Sequence, residues 1–440
     1  MHKLLGGFVM MLMTSGMLAQ EFDKAKMDKL FSIVDTGEQS MGSFSIFQDG
    51  VEVYANTIGF IDLKSRKAAN ANTVYRIGSI SKTYTASIIM KLIEDKKLKL
   101  NTPLSRFFPK IKNSSRITIE QMLRHRSGIY NFTNTDEYLL MMEKPIGREE
   151  LVEKITEFGS IFEPDQDFEY SNSNYVLLSI IAEKITKQSF AELIDEMIVK
   201  PLGLKLSYFG GKINTANNEA QSFKKIKNWS STTETDMSIP LGAGSIASTA
   251  FDVNTFLTAL FQDKVVSSDS RNKMIKIMDG FGLGLISIPF GNKKAYGHNG
   301  GIDGFQSMAY YFPKENVTVT YLANGIVYSI NDLMIDALSI YFGIDKKLPE
   351  FLPAMKLSSN ELDKYLGIYS SPDLPISLTV TKEGAQLIGQ GTGQEAFPLD
   401  AFDVHKFKFD PANLKIEFFP KMGKAVMNQG GMEFELQSEK

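Results

Sequence analysis

The 440-residue chain contains no cysteine, one tryptophan and only four histidines. Without cysteine it can form no disulfide and no thiolate metal site, and it has no thiol for attachment of a lipid. Its 51 acidic and 48 basic residues nearly balance, for a net charge of −3. Since surfaces that bind nucleic acid need an excess of positive charge, we expect no nucleic acid partner.

Several motifs of known catalytic and cofactor chemistry are also missing. The chain has no His-Glu-x-x-His zinc motif, no Gly-x-Ser-x-Gly nucleophile elbow, no P-loop and no dinucleotide-binding glycine fingerprint. We therefore expect no zinc hydrolase, no bound metal and no cofactor.

An apolar stretch at the N-terminus is too short to span a membrane. It covers residues 4–18, follows Lys3 and ends before Ala19 and Gln20, whereas a spanning helix needs about 20 apolar residues. An uncleaved anchor is therefore the weaker alternative. We predict a secretory signal peptide over residues 1–19, a periplasmic or secreted protein, and no membrane span after signal removal.

A serine and a lysine lie three residues apart where an apolar-periodic segment begins. The spacing predicts a buried helix over residues 79–95 with Ser79 and Lys82 on one face. A serine hydroxyl is a weak nucleophile until a base takes its proton, and lysine can be that base if burial or nearby cations lower its pKa. The alternative is a purely structural role, with Ser79 capping the helix beside a solvated Lys82.

The Ser-x-x-Lys spacing alone is weak, because the chain contains it three times. The other two copies, at Ser222 and Ser270, lie in polar runs and are predicted to be solvated surface. Two further motifs follow Ser79 in order along the chain: Tyr170-Ser171-Asn172 and His298-Asn299-Gly300-Gly301.

Together, the three ordered motifs resemble those of the penicillin-recognising serine hydrolases. The resemblance is to the branch with class C β-lactamases, D-alanyl-D-alanine carboxypeptidases, D-aminopeptidases and esterases. Residues 123–129, Leu-Arg-His-Arg-Ser-Gly-Ile, are similar to a turn of this family, and the glycine-rich residues 242–249 to its approach to a later helix. The resemblance covers roughly residues 35–345.

The resemblance implies a role for each residue. Ser79 attacks a carbonyl, Lys82 takes its proton, and Tyr170 serves the leaving group and then the deacylating water. We expect nearby cations to lower the pKa of the Tyr170 phenol toward working pH. The backbone amides of Ser79 and Gly301 would form the oxyanion hole.

Substrate binding is assigned in the same way to Asn172, His298, Asn299 and Gly300. Many relatives have lysine where this chain has His298, and histidine is cationic only when pH or neighbours favour it. We therefore expect weaker recognition of a substrate carboxylate. The D-alanyl-D-alanine peptidase activity stays among the expected ones, since some peptidases of the family also have histidine at this position. A surface histidine beside a glycine turn is the alternative for His298. His125 is predicted to be structural. Asp303 is predicted to be a turn residue, with a contact at the rim of the site as the alternative.

The fold expected is α+β, with an antiparallel sheet flanked by helices and a mainly helical subdomain, as in β-lactamases. Alternating residues around Asp49-Gly50 predict a hairpin, helical periodicity dominates to about residue 202, and strands return near residues 282–286, 306–312 and 317–322. Residues 330–342 are predicted to form a closing helix. We place this domain at residues 20–345.

A proline-bearing linker over residues 346–356 precedes a change of pattern. Short alternating stretches separated by glycine or proline turns predict a small all-β domain over residues 357–440. Its opening, at residues 362–369, resembles the lipocalin-like domains appended to this hydrolase branch.

The function favoured by the sequence is a serine hydrolase acting on an amide or ester through an acyl-enzyme, of the D-amino-acid peptidase or esterase type. Its partner would be a small molecule or short peptide, including cell-wall-derived ones. The alternatives are a β-lactamase, or a non-catalytic cell-envelope binding protein that keeps the fold.

Overall fold

A computed structural model describes residues 22–226, 228–351, 355–412, 414–429 and 432–439. The predicted signal peptide lies outside the described residues, as do positions 352–354 of the predicted linker. Among the described residues, no helix combines the length and the apolar character needed to cross a membrane.

The α-helices of the described residues, in chain order, are α1 (Lys24–Thr36), α2 (Ser81–Glu94), α3 (Ile119–Leu123), α4 (Asp136–Met141), α5 (Arg148–Phe158), α6 (Asn172–Thr186), α7 (Phe190–Ile194), α8 (Lys200–Leu202), α9 (Ala250–Phe261), α10 (Ser268–Met274), α11 (Ile330–Tyr341) and α12 (Ser359–Leu362).

The strands are β1 (Ser40–Gln48), β2 (Val51–Ile58), β3 (Phe60–Asp62), β4 (Lys67–Ala68), β5 (Tyr75–Arg76), β6 (Tyr208–Phe209), β7 (Phe223–Lys225), β8 (Trp229–Ser231), β9 (Ile246–Ser248), β10 (Ile286–Phe290), β11 (Lys293–Ile302), β12 (Phe305–Phe312), β13 (Val317–Ile326), β14 (Gly367–Ser370), β15 (Leu378–Glu383), β16 (Gln386–Gly391), β17 (Phe397–Asp403), β18 (Lys406–Phe409), β19 (Leu414–Phe419), β20 (Lys424–Gln429) and β21 (Met432–Glu439).

A six-stranded antiparallel sheet forms the centre of the larger part, in the order β10-β11-β12-β13-β1-β2. The sheet thus combines β1 and β2 with β10 to β13, and most of the helices lie between these two groups in the sequence, as expected. The predicted hairpin turn is present, with Asp49 at φ +53° and Gly50 at φ +81°. Positive φ at both turn residues is the type I′ geometry that matches strand twist.

Two apolar cores flank this sheet. One joins α1 and α11 to the sheet through side chains such as Phe31, Tyr310 and Leu333. The other contains α2, α6 and α9 and reaches the sheet at Tyr311 and Leu322. The α+β architecture predicted from the sequence is confirmed.

Strands β14 to β21 close into an eight-stranded antiparallel barrel, because β14 pairs with β21. Its interior holds a separate apolar core that includes Tyr365, Phe407 and Phe418. The all-β fold class expected for the C-terminal region is confirmed. Its exact limits, and the limits of the linker, stay predictions.

Strand β11 is the main element that the sequence pattern missed. Its second half, His298-Asn299-Gly300-Gly301, lacks the alternating β-branched and aromatic residues that indicate a strand. Pairing with β12 makes this half a strand, whereas β10 pairs with β11 only as far as Gly297.

Candidate active site

Ser79 lies in a single 3₁₀ turn, Gly78–Ile80, that runs directly into α2. Together they cover residues 78–94, so the helix predicted over residues 79–95 is confirmed to within one residue. Ile80, Tyr84 and Ile88 are fully buried, as their helical spacing requires. This packing holds the Ser79 turn against the rest of the core.

Lys82 is completely buried, one turn along from Ser79. Its Nζ lies 2.9 Å from Ser79 Oγ, 2.7 Å from Asn172 Oδ1 and 2.8 Å from the backbone oxygen of Ala243. Burial lowers the pKa of Lys82 well below its usual value. A neutral amine has two hydrogens for the Asn172 and Ala243 oxygens and one lone pair for the Ser79 hydroxyl.

Tyr170 approaches the serine from the opposite side, in the loop before α6. Its hydroxyl donates to Ser79 Oγ at 2.9 Å, and its ring lies 4.9 Å from Lys82 Nζ. Burial raises the pKa of the Tyr170 phenol above its usual value, although the Ser79 hydrogen bond opposes this. The acidified phenol expected from the sequence was therefore wrong for the resting site, where the Tyr170 phenol keeps its proton and donates the hydrogen bond to Ser79.

Asn172 is the first residue of α6 and is held on three sides. Its Oδ1 accepts from Lys82, its Nδ2 donates to Thr133 Oγ1 at 3.0 Å, and its backbone amide donates to Asn131 Oδ1 at 3.0 Å. The second Nδ2 hydrogen is not used by these contacts. Sequence reasoning missed Thr133 and Asn131, which lie in a loop that carries no motif of its own.

His298 is 5% exposed, which contradicts the surface-histidine alternative. Its Nδ1 donates to the backbone oxygen of Asn299 at 2.5 Å, because a carbonyl can only accept. Burial, and then the nearby Lys82 charge, lower the pKa of His298 to about 4. The imidazole is thus neutral at physiological pH.

The three residues after His298 differ in where they lie. The exposed Asn299 side chain accepts from the Tyr310 hydroxyl, on the sheet face opposite to that of His298. Gly300 packs so closely that a Cβ there would lie 2.1 Å from the backbone oxygen of Ile77. A Cβ on Gly78 would lie 2.7 Å from the Gly301 nitrogen, so Gly301 lies beside the turn that carries Ser79.

His125 packs against the Tyr170 ring and hydrogen-bonds the residue that follows it. Its Nδ1 accepts from the backbone amide of Ser171 at 3.1 Å, and its ring stacks on the Tyr170 ring at 4.3 Å. Burial, with smaller effects from Lys82 and His298, lowers the pKa of His125 well below its usual value. A neutral, hydrogen-bonded histidine in a turn is the structural role predicted from the sequence.

The other two Ser-x-x-Lys copies do not form such a site. Lys225 pairs with Glu38, and Lys273 pairs with Asp269. The prediction that these serines are solvated was wrong, since Ser222 and Ser270 are both buried. Tertiary contacts cover them: Ser222 Oγ, for example, hydrogen-bonds Thr232 Oγ1 at 2.6 Å. Within the described part of the chain, no group of three or more His, Asp or Glu side chains could hold a metal ion.

A family model described as Beta-lactamase matches residues 34–327. The chain is 25% identical over 422 residues to penicillin-binding protein 4* of Bacillus subtilis (strain 168), covering 88% of this chain and 92% of that protein. It is 25% identical over 299 residues to teichoic acid D-alanine hydrolase of Staphylococcus aureus (strain NCTC 8325 / PS 47), covering 64% of this chain and 70% of that protein.

Solved structures show the same architecture. D-amino acid amidase from Ochrobactrum anthropi SV3, complexed with D-phenylalanine, matches with a TM-score of 0.66 and 22% identity over 73% of this chain and 100% of that chain. The octameric penicillin-binding protein homologue from Pyrococcus abyssi matches with a TM-score of 0.65 and 25% identity over 94% of this chain and 99% of that chain.

Because the family model spans well over half of the sequence, the chain belongs to the β-lactamase family. It is a serine hydrolase of the β-lactamase and penicillin-binding-protein type.

Proposed function

We propose that the protein hydrolyses an amide or ester of a D-amino acid through an acyl-enzyme on Ser79. The observation that carries the proposal is that Ser79 Oγ lies 2.9 Å from both Lys82 Nζ and the Tyr170 hydroxyl. A nucleophile between a buried amine and a buried phenol has a proton acceptor on one side and a proton donor on the other.

Acylation uses the neutral form of Lys82. As Ser79 Oγ bonds to the substrate carbonyl carbon, its proton moves to Lys82 Nζ, and the carbonyl oxygen becomes an oxyanion. The amides of Ser79 and Gly301 donate to that oxygen, and the new ammonium of Lys82 stabilises the same negative charge. Asn172 offers its remaining Nδ2 hydrogen to the substrate.

Tyr170 gives its proton to the leaving amine or alkoxide as the bond to the carbonyl carbon breaks. The phenolate that results lies beside the Lys82 ammonium, which lowers its energy. In deacylation the phenolate takes a proton from the attacking water. Ser79 Oγ then leaves the acyl carbon and regains its proton from Lys82, which restores the resting site.

The neutral state of His298 favours a substrate that has no charged group next to this side chain. A neutral imidazole whose Nδ1 is bonded to Asn299 provides no cation for a carboxylate. Two similar proteins bear names that point to D-amino acids, a teichoic acid D-alanine hydrolase and a D-amino acid amidase. We therefore favour D-aminoacyl amides and esters over penicillins and over peptides recognised by a free carboxylate.

We also propose export, with removal of residues 1–19, so that the mature protein is periplasmic or secreted. The apolar run at residues 4–18 supports this. A hydrolase domain over residues 20–345, a linker over residues 346–356 and a β-domain over residues 357–440 remain our proposed division of the chain.

The proposal is tested by intact-mass measurement after treatment with a fluorophosphonate probe, followed by peptide mapping. We expect one adduct, on Ser79, and none in a folded Ser79→Ala variant. The matched serine control is Ser270→Ala, which should keep the adduct. Turnover by folded Ser79→Ala would refute the mechanism.

Matched substrates then test the specificity. D-alanyl-D-alanine and its C-terminal amide differ only in the charge of the terminal group, and penicillin G offers a β-lactam with a carboxylate. We expect the amide and D-alanine esters to have the higher kcat/KM. A clear preference for penicillin would favour the β-lactamase alternative. A folded wild-type protein that neither the probe nor penicillin acylates would favour the binding-protein alternative.

A further inference from the structure

A buried arginine lies just before the nucleophile turn. The Arg76 side chain is 4% exposed, and its guanidinium meets four oxygens from three separate segments. Nη1 donates to the Thr235 backbone oxygen at 2.8 Å and to Asp303 Oδ2 at 2.9 Å. Nη2 donates to the Gly211 backbone oxygen and to Glu234 Oε1, both at 2.9 Å.

Asp303 is the most enclosed of these partners, with a side chain that is 0% exposed. It has φ +54° and follows β11 directly, as expected of a turn residue. The prediction did not include the buried ion pair of its carboxylate. Oδ1 accepts from the Thr235 hydroxyl at 2.6 Å and from the Thr235 amide at 3.1 Å. The carboxylate is therefore held on both oxygens.

The ion pair joins the two chain segments that carry the proposed oxyanion donors. Arg76 lies three residues before Ser79, and Asp303 lies two residues after Gly301. A further contact comes from β12, the neighbour of β11, where Ser307 Oγ donates to the Ile77 backbone oxygen at 2.8 Å.

Stability alone is a poor explanation for this pair, because apolar residues of similar volume often replace a buried ion pair without loss. The planar guanidinium of arginine makes directional hydrogen bonds. Unlike apolar contacts, these bonds fix the distance and the angle between the two segments that they join. Oxyanion donors need that control, because a displacement of about 1 Å can cost about a hundredfold in rate.

We propose that Asp303, acting through Arg76, is a positioning residue that sets the separation of the Ser79 and Gly301 amides in the oxyanion hole. The inference rests on the proposed function. The polar atoms of both side chains bond to protein partners, so we expect the effect in stabilisation of the tetrahedral oxyanion rather than in ground-state binding.

The test compares Asp303→Asn with Asp336→Asn. Asparagine tolerates the positive φ of position 303 and can still accept from Thr235, but its NH₂ group faces the Arg76 donors. Asp336, on α11, is the matched control, because its buried carboxylate accepts from the Tyr328 hydroxyl at 2.7 Å and pairs with Lys346. Both variants remove the charge of a buried carboxylate that pairs with a cation.

The measurements are kcat, KM, the affinity of a boronic acid that mimics the tetrahedral adduct, and the melting temperature. For Asp303→Asn we expect kcat to fall at least about tenfold, with KM within about twofold and a matching loss of boronate affinity. Asp336→Asn should lose thermal stability but keep kcat. Folded Asp303→Asn with the kcat of Asp336→Asn would overturn the inference.

Arg76→Lys covers the case in which Asp303→Asn does not fold. Lysine keeps the charge but loses the planar fork, so we expect the same selective loss of kcat, and a normal kcat would overturn the inference. The fluorophosphonate adduct separates the two proposals. If wild-type protein forms no adduct, the proposed function is refuted. If wild type and Asp303→Asn form the adduct at equal rates, only the positioning role is refuted.

Discussion

The backbones of Gly78 and Gly301 are in contact, and a Cβ on Gly78 would lie 2.7 Å from the Gly301 nitrogen and 2.9 Å from its oxygen. Gly78 also has φ +51°, a conformation that side chains rarely adopt. The turn that carries Ser79 and the end of β11 that carries Gly301 can therefore meet only because position 78 has no side chain.

Gly78→Ala should separate these two segments. We expect kcat to fall at least about tenfold and the melting temperature to drop, because both the clash and the positive φ oppose alanine. Gly147→Ala is the control, since a Cβ there meets nothing within 4 Å. Enzyme assays and thermal unfolding check this, and an active Gly78→Ala enzyme would show that the contact is dispensable.

Tyr170→Phe removes the hydroxyl that donates to Ser79 Oγ but keeps the ring that stacks on His125. We expect kcat to fall by about 10² to 10⁴, the usual contribution of a positioned proton donor. Fold and KM should change little. Steady-state kinetics with an amide and with an activated ester provide the check, and the amide should suffer more because its leaving group needs the proton more. Equal kcat in variant and wild type would exclude Tyr170 as the proton carrier.

Lys82 should impose a pH dependence on acylation. Because its neutral form is the base, the acylation rate should rise with pH and level off above a midpoint that lies below the usual lysine pKa of about 10.4. Lys82→Arg, which stays protonated, should not acylate. Lys91→Arg on the same helix is the control. Stopped-flow or quench measurements of the adduct give the profile, and a rate independent of pH would contradict the assignment.

His298 should make the protein less stable in acid. Its pKa falls from 6.5 to about 4 on folding, so between these values the unfolded chain binds a proton that the folded chain does not. The free energy of unfolding should therefore decrease as pH falls from about 6.5 to about 4, by about 3 kcal/mol in all. Urea unfolding at several pH values measures this slope. His298→Asn should have a shallower slope, and an unchanged slope would contradict the pKa assigned to the buried imidazole.

Local patterns in the sequence were enough for several elements. The Asp49-Gly50 turn, the helix after Ser79 and the short strands of the C-terminal barrel follow from side-chain periodicity and turn chemistry. The same patterns missed β11 as a full strand and misjudged the burial of Ser222 and Ser270, because pairing with β12 and distant side-chain contacts decide those features.

For the site, the motifs along the chain were enough to identify the residue types and their order, namely Ser79 with Lys82, then Tyr170 and Asn172, then His298. Their protonation states and hydrogen-bond partners depend on the folded chain and were not predictable from the motifs. Burial makes Lys82 and His298 weak bases and keeps Tyr170 protonated, and the Arg76–Asp303 pair joins residues 227 positions apart. Desolvation and long-range ion pairing depend on what surrounds a group in three dimensions, and a linear pattern does not contain that information.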